Sequence, residues 1–383
     1  MPKYGSFNIL PYPAESPVKE TLEFLTDVIE AYDSTEQRIQ LRLLARQSFD
    51  YSIPLKPQLF AEAFNAQYGA MRSNSWIVPY WAESQYVGDV ANAATQILCQ
   101  TQYYAFSHLA YALLANVCGS YQVVQINDVL SDRITLQSAT TAAISSAFLM
   151  PARVGWIQGD IDMPTTGYNA KQSLTFVISD NPTVFASVPA QYNSNDIYFD
   201  IPFLANGWNE NRLSQHQEII DMSLGIVANR SHWTRPRYSK PWRFILRDIG
   251  EVWAFRDFFW RRAGKYRAFW FPTFDNNFRV TSTGTITSSI AVMLDSYSSY
   301  ATTRTHIAIQ VGETWYARTI SSTTPLDPDH IQLNLDSSLG GIPADSIKRI
   351  SYLGLHRLDT DRAELICKNG LTQVSLQVLE LSP

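Results

Sequence analysis

The sequence predicts a mainly β protein (β+α) built from two similar halves, each with one flanking helix. Three observations predict it. Short alternating segments separated by turn residues fill most of the 383 residues, as in barrels and sandwiches. Only two stretches carry clear helical periodicity. Residues from about 20 to 180 can also be laid over residues from about 215 to 381 in collinear order, the signature of an internal repeat. Two long copies do not make a solenoid, which stacks three or more short units. They imply two similar domains, and a ring or tube in which each chain supplies two equivalent positions.

Residues 1–20, with Pro2, Pro11, Pro13 and Pro17, read as an extended N-terminal arm, too rich in proline for a central strand. It either lies on a neighbouring subunit or is a loosely ordered terminus. Residues 21–180 form the first domain. Its start, to residue 53, is mostly β, although 22–29 also fits a helix. A helix opens at Pro57, a favoured first-turn residue, and places Phe60, Ala63 and Phe64 on one face. Gly69 follows, then an aromatic strand through Trp76 to Pro79. Further strands are expected at 121–126, 132–136, 153–157 and 173–177. Residues 181–214, rich in Asn, Pro and Gly, connect the copies, with a strand at 197–201.

The second domain, 215–383, repeats the order. A strand at 242–246 leads into a helix from Asp248 to Arg262, then Gly264, then the aromatic strand at 269–274 with Pro272. Asp248 and Glu251 form a capping box, and Gly264 is the expected stop. Ile249, Val252, Trp253, Arg256 and Phe259 recur at helical spacing; Phe255, Phe258 and Trp260 make the helix apolar over most of its circumference. Such a helix is buried on several sides, one of which could be a subunit contact. Strands at 315–320, 329–333, 349–353 and 375–379 match the four of the first copy. Residues 306–311 read as a half-buried strand, and 281–289 as strand-like.

Charged residues are sparse at 17% and aromatics plentiful at 13%, a balance that suits a protein burying surface in partners and equally an aromatic-rich β protein. A net charge of −5 argues against a general nucleic-acid binder. Cys99, Cys118 and Cys367 lack CxxC spacing and read as reduced core thiols, consistent with a cytoplasm. The N-terminus leads to no apolar run of signal length, and the most apolar run, 106–117, is too short to span a bilayer, so no membrane anchor is expected. No nucleotide, metalloprotease or hydrolase motif is present, and the six histidines lack metal-ligand spacing. Asp160 with Asp162, and Asp327 with Asp329, could share a strand face and hold a cation, but Asp-Pro-Asp is more simply a turn. We therefore expect no enzyme activity, no cofactor and no metal.

The strongest polar feature is the basic stretch 230–267, with eleven Lys and Arg against Asp248, Glu251 and Asp257, and with Trp233, Trp242 and Trp253 interleaved. It admits three readings: a surface for polyanions such as DNA in a channel, a subunit interface anchored by Arg and Trp, or a solvated face. The interface reading singles out Trp233, Arg235, Arg237, Trp253, Phe259, Arg261, Arg262 and Lys265. The first copy lacks this charge, which tells against a uniformly basic pore.

Trp233-Thr234-Arg235-Pro236-Arg237, followed by a strand and a helix ending in Phe258-Phe259-Trp260-Arg261-Arg262-Ala263-Gly264-Lys265-Tyr266-Arg267-Ala268-Phe269-Trp270-Phe271-Pro272, resembles tail proteins of long-tailed, siphophage-like bacteriophages and of gene transfer agents. Residues 352–361 and 374–379 are similar to the same group, and the resemblance covers about a quarter of the chain. It implies a tail-tube-like β-barrel, here in tandem duplication, at the distal tail or tail-tip hub position of the virion. It further implies assembly in the host bacterial cytoplasm into a trimer with pseudo-sixfold symmetry, or a hexamer. The implied partners are the tail tube protein, the tape measure protein and central fibre or tip proteins, with DNA only in transit. The alternative is a receptor- or sugar-binding tail protein with an aromatic-rich β surface. The first copy has Gln67-Tyr68-Gly69-Ala70-Met71-Arg72 where the second has the basic glycine turn, so the two copies need not meet the same neighbours.

Overall fold

The computed structural model describes residues 3–70, 75–166, 169–179, 188–199, 212–223, 225, 227–231, 233, 236–297 and 304–381. The fold is mainly β. Among the described residues, 25 strands hydrogen-bond into one largely antiparallel network, accompanied by two α-helices, α1 (Pro57–Ala70) and α2 (Ile249–Arg262).

In the first half, Arg46–Leu55 enters α1 and pairs with Asn169–Ile178, which pairs with the long strand Ile144–Asp162. That strand also pairs with Trp76–Pro79 and Tyr111–Ala115, and the ladder continues through Tyr121–Val129, Arg133–Leu136 and Gln96–Leu98. Phe7–Ile9 runs parallel to Trp76–Pro79. In the second half, Arg237–Leu246 enters α2 and pairs with Leu371–Glu380, which pairs with Ile347–Leu358. That strand also pairs with Phe269–Pro272 and His306–Val311, and the ladder continues through Thr314–Pro325, His330–Leu335 and Ser289–Met293. Asn195–Ile197 runs parallel to Phe269–Pro272. This short strand begins two residues before the expected one; residues 200 and 201 lie outside the described part.

No sheet among the described residues closes into a barrel, contrary to expectation. The reason lies at the edges. Glu15–Glu23 inserts between Arg46–Leu55 and Arg362–Lys368, and the latter pairs with Leu371–Glu380. The edge of each half is thus satisfied by the other half, and closure has no free edge to use.

The expected N-terminal arm is therefore part of the sheet from residue 3 onward, and residues 18–23 are central. The prolines are accommodated by position. Pro11 and Pro13 fall between strands, and Pro17 falls in the irregular stretch between Glu15 and Lys19 where the ladder register shifts. Residues 26–30 form strand, not helix: Thr26–Glu30 pairs with Glu36–Gln40 in a hairpin. His306–Val311 is not half-buried either. Ile307, Ala308 and Ile309 are all 0% exposed, because strands flank it on both edges and side chains cover both faces. Of residues 281–289, only Thr285–Ile286 and the start of Ser289–Met293 are strand.

The caps of α2 stand where the sequence put them. The Asp248 carboxylate accepts from the Glu251 amide at 2.9 Å, and Glu251 reaches back to the Arg247 amide at 2.6 Å. Ala263 and Gly264 both take left-handed backbone, with φ of 50° and 64°. A Cβ on Gly264 would sit 2.2 Å from the Asp361 carboxylate oxygen, so this turn requires glycine twice over. The buried face of α2 sets Phe255 and Phe259 against Phe244 and Phe24, with ring centroids 5.3 and 5.6 Å apart. Phe24 comes from the N-terminal half, so the core under α2 is shared between halves.

Candidate interaction site around the second helix

Arg256 breaks the apolar stripe of α2, and the structure shows what it does there. Its guanidinium, 3% exposed, lies between the carboxylates of Glu20 and Glu83, each at 2.5 Å. Glu20 comes from the strand Glu15–Glu23 and Glu83 from the turn after Trp76–Pro79, so one helical residue joins both halves. The remaining oxygens are satisfied: Gln47 donates to Glu20 at 2.7 Å, and the Ala105 amide donates to Glu83 at 2.7 Å. Tyr80 in turn donates to Gln47 at 2.6 Å. Burial pushes the Glu83 carboxyl above the usual range, against the pull of Arg256.

Three further arginines of the basic stretch, Arg237, Arg261 and Arg262, meet carboxylates in the same way. Arg237 is buried and meets Glu30 at 3.1 Å and Glu36 at 3.2 Å, with Trp233 stacked 4.9 Å from its guanidinium. Glu36 also takes a bidentate pair from Arg357 at 2.8 and 3.0 Å. Burial opposes its ionisation, yet Arg357 and Arg237 together hold its carboxyl below the usual value. Arg261 and Arg262 share the carboxylate of Asp196, and Arg262 donates to the Ala268 carbonyl at 2.8 Å. Asp361 fixes the turn after α2, accepting from the Lys265 amide at 2.8 Å and from the Thr26 amide at 2.8 Å.

Of the eight residues expected at an interface, Arg237, Phe259 and Arg262 are buried inside the chain, with Phe259 0% exposed. They serve the core rather than a free surface. Trp233, Trp253, Arg261 and Lys265 are half-buried, and Arg235 lies outside the described residues. Among the described residues the stretch therefore presents no continuous basic surface of the kind a DNA channel would need, with Arg230, Arg243, Arg247 and Arg267 exposed.

Apolar side chains are exposed elsewhere. The hairpin Thr26–Glu30/Glu36–Gln40 and the loop after it expose Ile29 (53%), Leu41 (59%) and Leu43 (82%). A second hairpin, Glu218–Asp221/Val227–Arg230, exposes Ile219 (66%), Met222 (70%) and Val227 (59%). Each hairpin immediately precedes the strand that enters a helix. They lie close together, since Tyr32 of the first meets His216 beside the second with centroids 5.4 Å apart. The apolar runs at 39–44 and 219–222 were the available sequence signal.

Asp160 and Asp162 are exposed, and Asp327 accepts from the Asp329 amide at 2.9 Å in a turn. No group of His, Cys, Asp and Glu that could hold a metal occurs among the described residues. The cysteines are free, but not core thiols: Cys118 is exposed and the other two are half-buried. No described helix is long and apolar enough to cross a membrane. No protein-family model matches the chain, and no curated protein matches it.

Proposed function

We propose that the chain is a structural virion protein that forms a ring at the distal end of a long-tailed phage tail. In this position it joins the tail tube to the central tip or fibres and leaves a lumen for the tape measure protein and DNA. Assembly, not catalysis, is its mechanism. One observation carries this function: the order of strand pairings in the first half recurs in the second. It runs from the strand that enters each helix to the short parallel strand beside each aromatic strand. That recurrence supports a tandem duplication of one tail-tube-like unit, each unit here open at the edge where it meets its sibling.

A chain with two like units suits a ring of three chains and six positions. The shared sheet and the Glu20–Arg256–Glu83 cluster hold the two units in a fixed relation, which favours both units lying in one ring over one unit decorating its outside. The paired apolar hairpins supply contact surface of the kind that marks protein association. Native mass spectrometry of the purified chain tests this function. A trimer is expected; a hexamer would keep the ring and move one unit outside it. A chain that stays monomeric at every concentration, alone and with the tail tube protein added, would overturn it.

A further inference from the structure

The geometry points to a binding site for a multiply charged oxyanion, phosphate or carboxylate, between the strand Glu36–Gln40, residues 191–196 and the turn after α2. The cavity there measures about 560 Å³ and is lined by four guanidinium groups, those of Arg38, Arg261, Arg262 and Arg267, against the carboxylates of Glu36 and Asp196. Both carboxylates are already committed. Glu36 is held by Arg357 and Arg237, and Asp196 by Arg261 and Arg262, with Gln191 donating to it at 2.9 Å.

Among the described residues, two cations lack a carboxylate at ion-pair distance, although Arg38 feels Glu36 from farther away. Arg38 makes no hydrogen bond or ion pair among the described residues, and its Nη1 is buried without a partner. Among the described residues Arg267 reaches the carbonyl of Arg261, at 3.4 Å, and no carboxylate at ion-pair distance. Arg262, whose side chain is 2% exposed, also keeps a buried Nε without a partner. Burial disfavours the charged form of both Arg38 and Arg262; the Glu36 carboxylate offsets part of this for Arg38, and nearby Arg357 and Arg267 respectively add to it. Buried N–H groups are rarely left unpaired in folded proteins. Guanidinium forks match the geometry of carboxylate and phosphate oxygens, and converging forks bind them strongly. An oxyanion in the cavity would satisfy the orphan donors and offset the surplus charge. This site does not depend on the ring.

The test uses the full chain, with isothermal calorimetry and thermal unfolding in pyrophosphate, inorganic phosphate or tricarballylate, each against chloride at equal ionic strength. Saturable binding that raises the melting midpoint is expected, strongest for pyrophosphate if the natural ligand is a phosphate and for tricarballylate if it is a carboxylate. Arg267→Gln, at an exposed position, should keep the fold and weaken binding about tenfold, the scale of one lost charge-assisted hydrogen bond. Arg38→Gln should weaken it at least as much. Absence of saturable binding for all three anions would overturn the site, as would binding that Arg267→Gln leaves unchanged.

Discussion

Replacing Arg256 with Met should destabilise the protein by about 3–5 kcal/mol at neutral pH, the usual result of removing one partner from a buried ion pair. Met keeps the aliphatic volume of the side chain, so little of the loss comes from packing. What remains is two carboxylates, Glu20 at 6% and Glu83 at 0% side-chain exposure, facing each other without a countercharge. Loss of the Trp253 stack, 5.4 Å from the guanidinium, falls within the same range. The pH dependence has a definite sign. The folded-state pKa of Glu83 is raised above its ordinary value of 4.5, so the stabilisation from holding that proton is fully present below 4.5 and is lost as pH rises. Removing Arg256 removes the charge that pulls this pKa down. The variant's deficit should therefore shrink as pH falls toward 4.5, and Glu83→Gln added to Arg256→Met should recover part of it at neutral pH. Urea unfolding followed by tryptophan fluorescence measures both effects. Because the cluster joins the two halves, the parent should unfold in a single transition and the variant in a broadened or split one. A deficit below about 1 kcal/mol at neutral pH, or one independent of pH, would refute the assignment of this cluster as a buried latch.

Asp361→Ala should lower stability by about 2–3 kcal/mol, since it removes a charged acceptor of the Thr26 and Lys265 amides; hydrogen exchange should rise first in residues 26–40. Leu43→Lys should leave the fold and melting midpoint unchanged and abolish oligomers, because Leu43 is 82% exposed, whereas Phe259→Asp should unfold the chain outright. Size-exclusion chromatography and circular dichroism separate these outcomes. His356 is buried, and burial first of all holds its pKa below 6.5, so stability should be full above 6.5 and fall as pH drops below it; His356→Gln should flatten that decline in urea midpoints.

The parts of the fold legible in the sequence are those written within a few residues. Asp248, Glu251 and Gly264 announce both ends of α2, and the aromatic run at 269–272 announces its strand, because capping and alternation act over one or two turns. The central position of Glu15–Glu23 was hidden because its prolines resemble those of a loose arm, and only the register shift at Pro17 reconciles them with a ladder. Barrel closure failed for a similar reason: which edge meets which is decided between residues such as Val18 and Cys367, far beyond any local pattern.

The candidate site divides in the same way. Arg256, Arg261 and Arg262 stood out as a basic stretch, but a run of arginines does not reveal its carboxylates. Glu83 and Glu20 lie 173 and 236 positions from Arg256, and Asp196 lies 65 positions from Arg261. Without those partners the stretch resembles a surface; with them Arg237, Arg256, Arg261 and Arg262 are tied into the interior by carboxylates. Arg38 was invisible as a site residue because its relevance comes only from the cavity that Arg261, Arg262 and Arg267 complete.

End-on electron microscopy of the assembled protein tests the central claim most directly. Class averages should show a closed ring with an open lumen and six similar peripheral densities, built from three chains. Compact particles without a lumen, or open chains of no fixed symmetry, would contradict it.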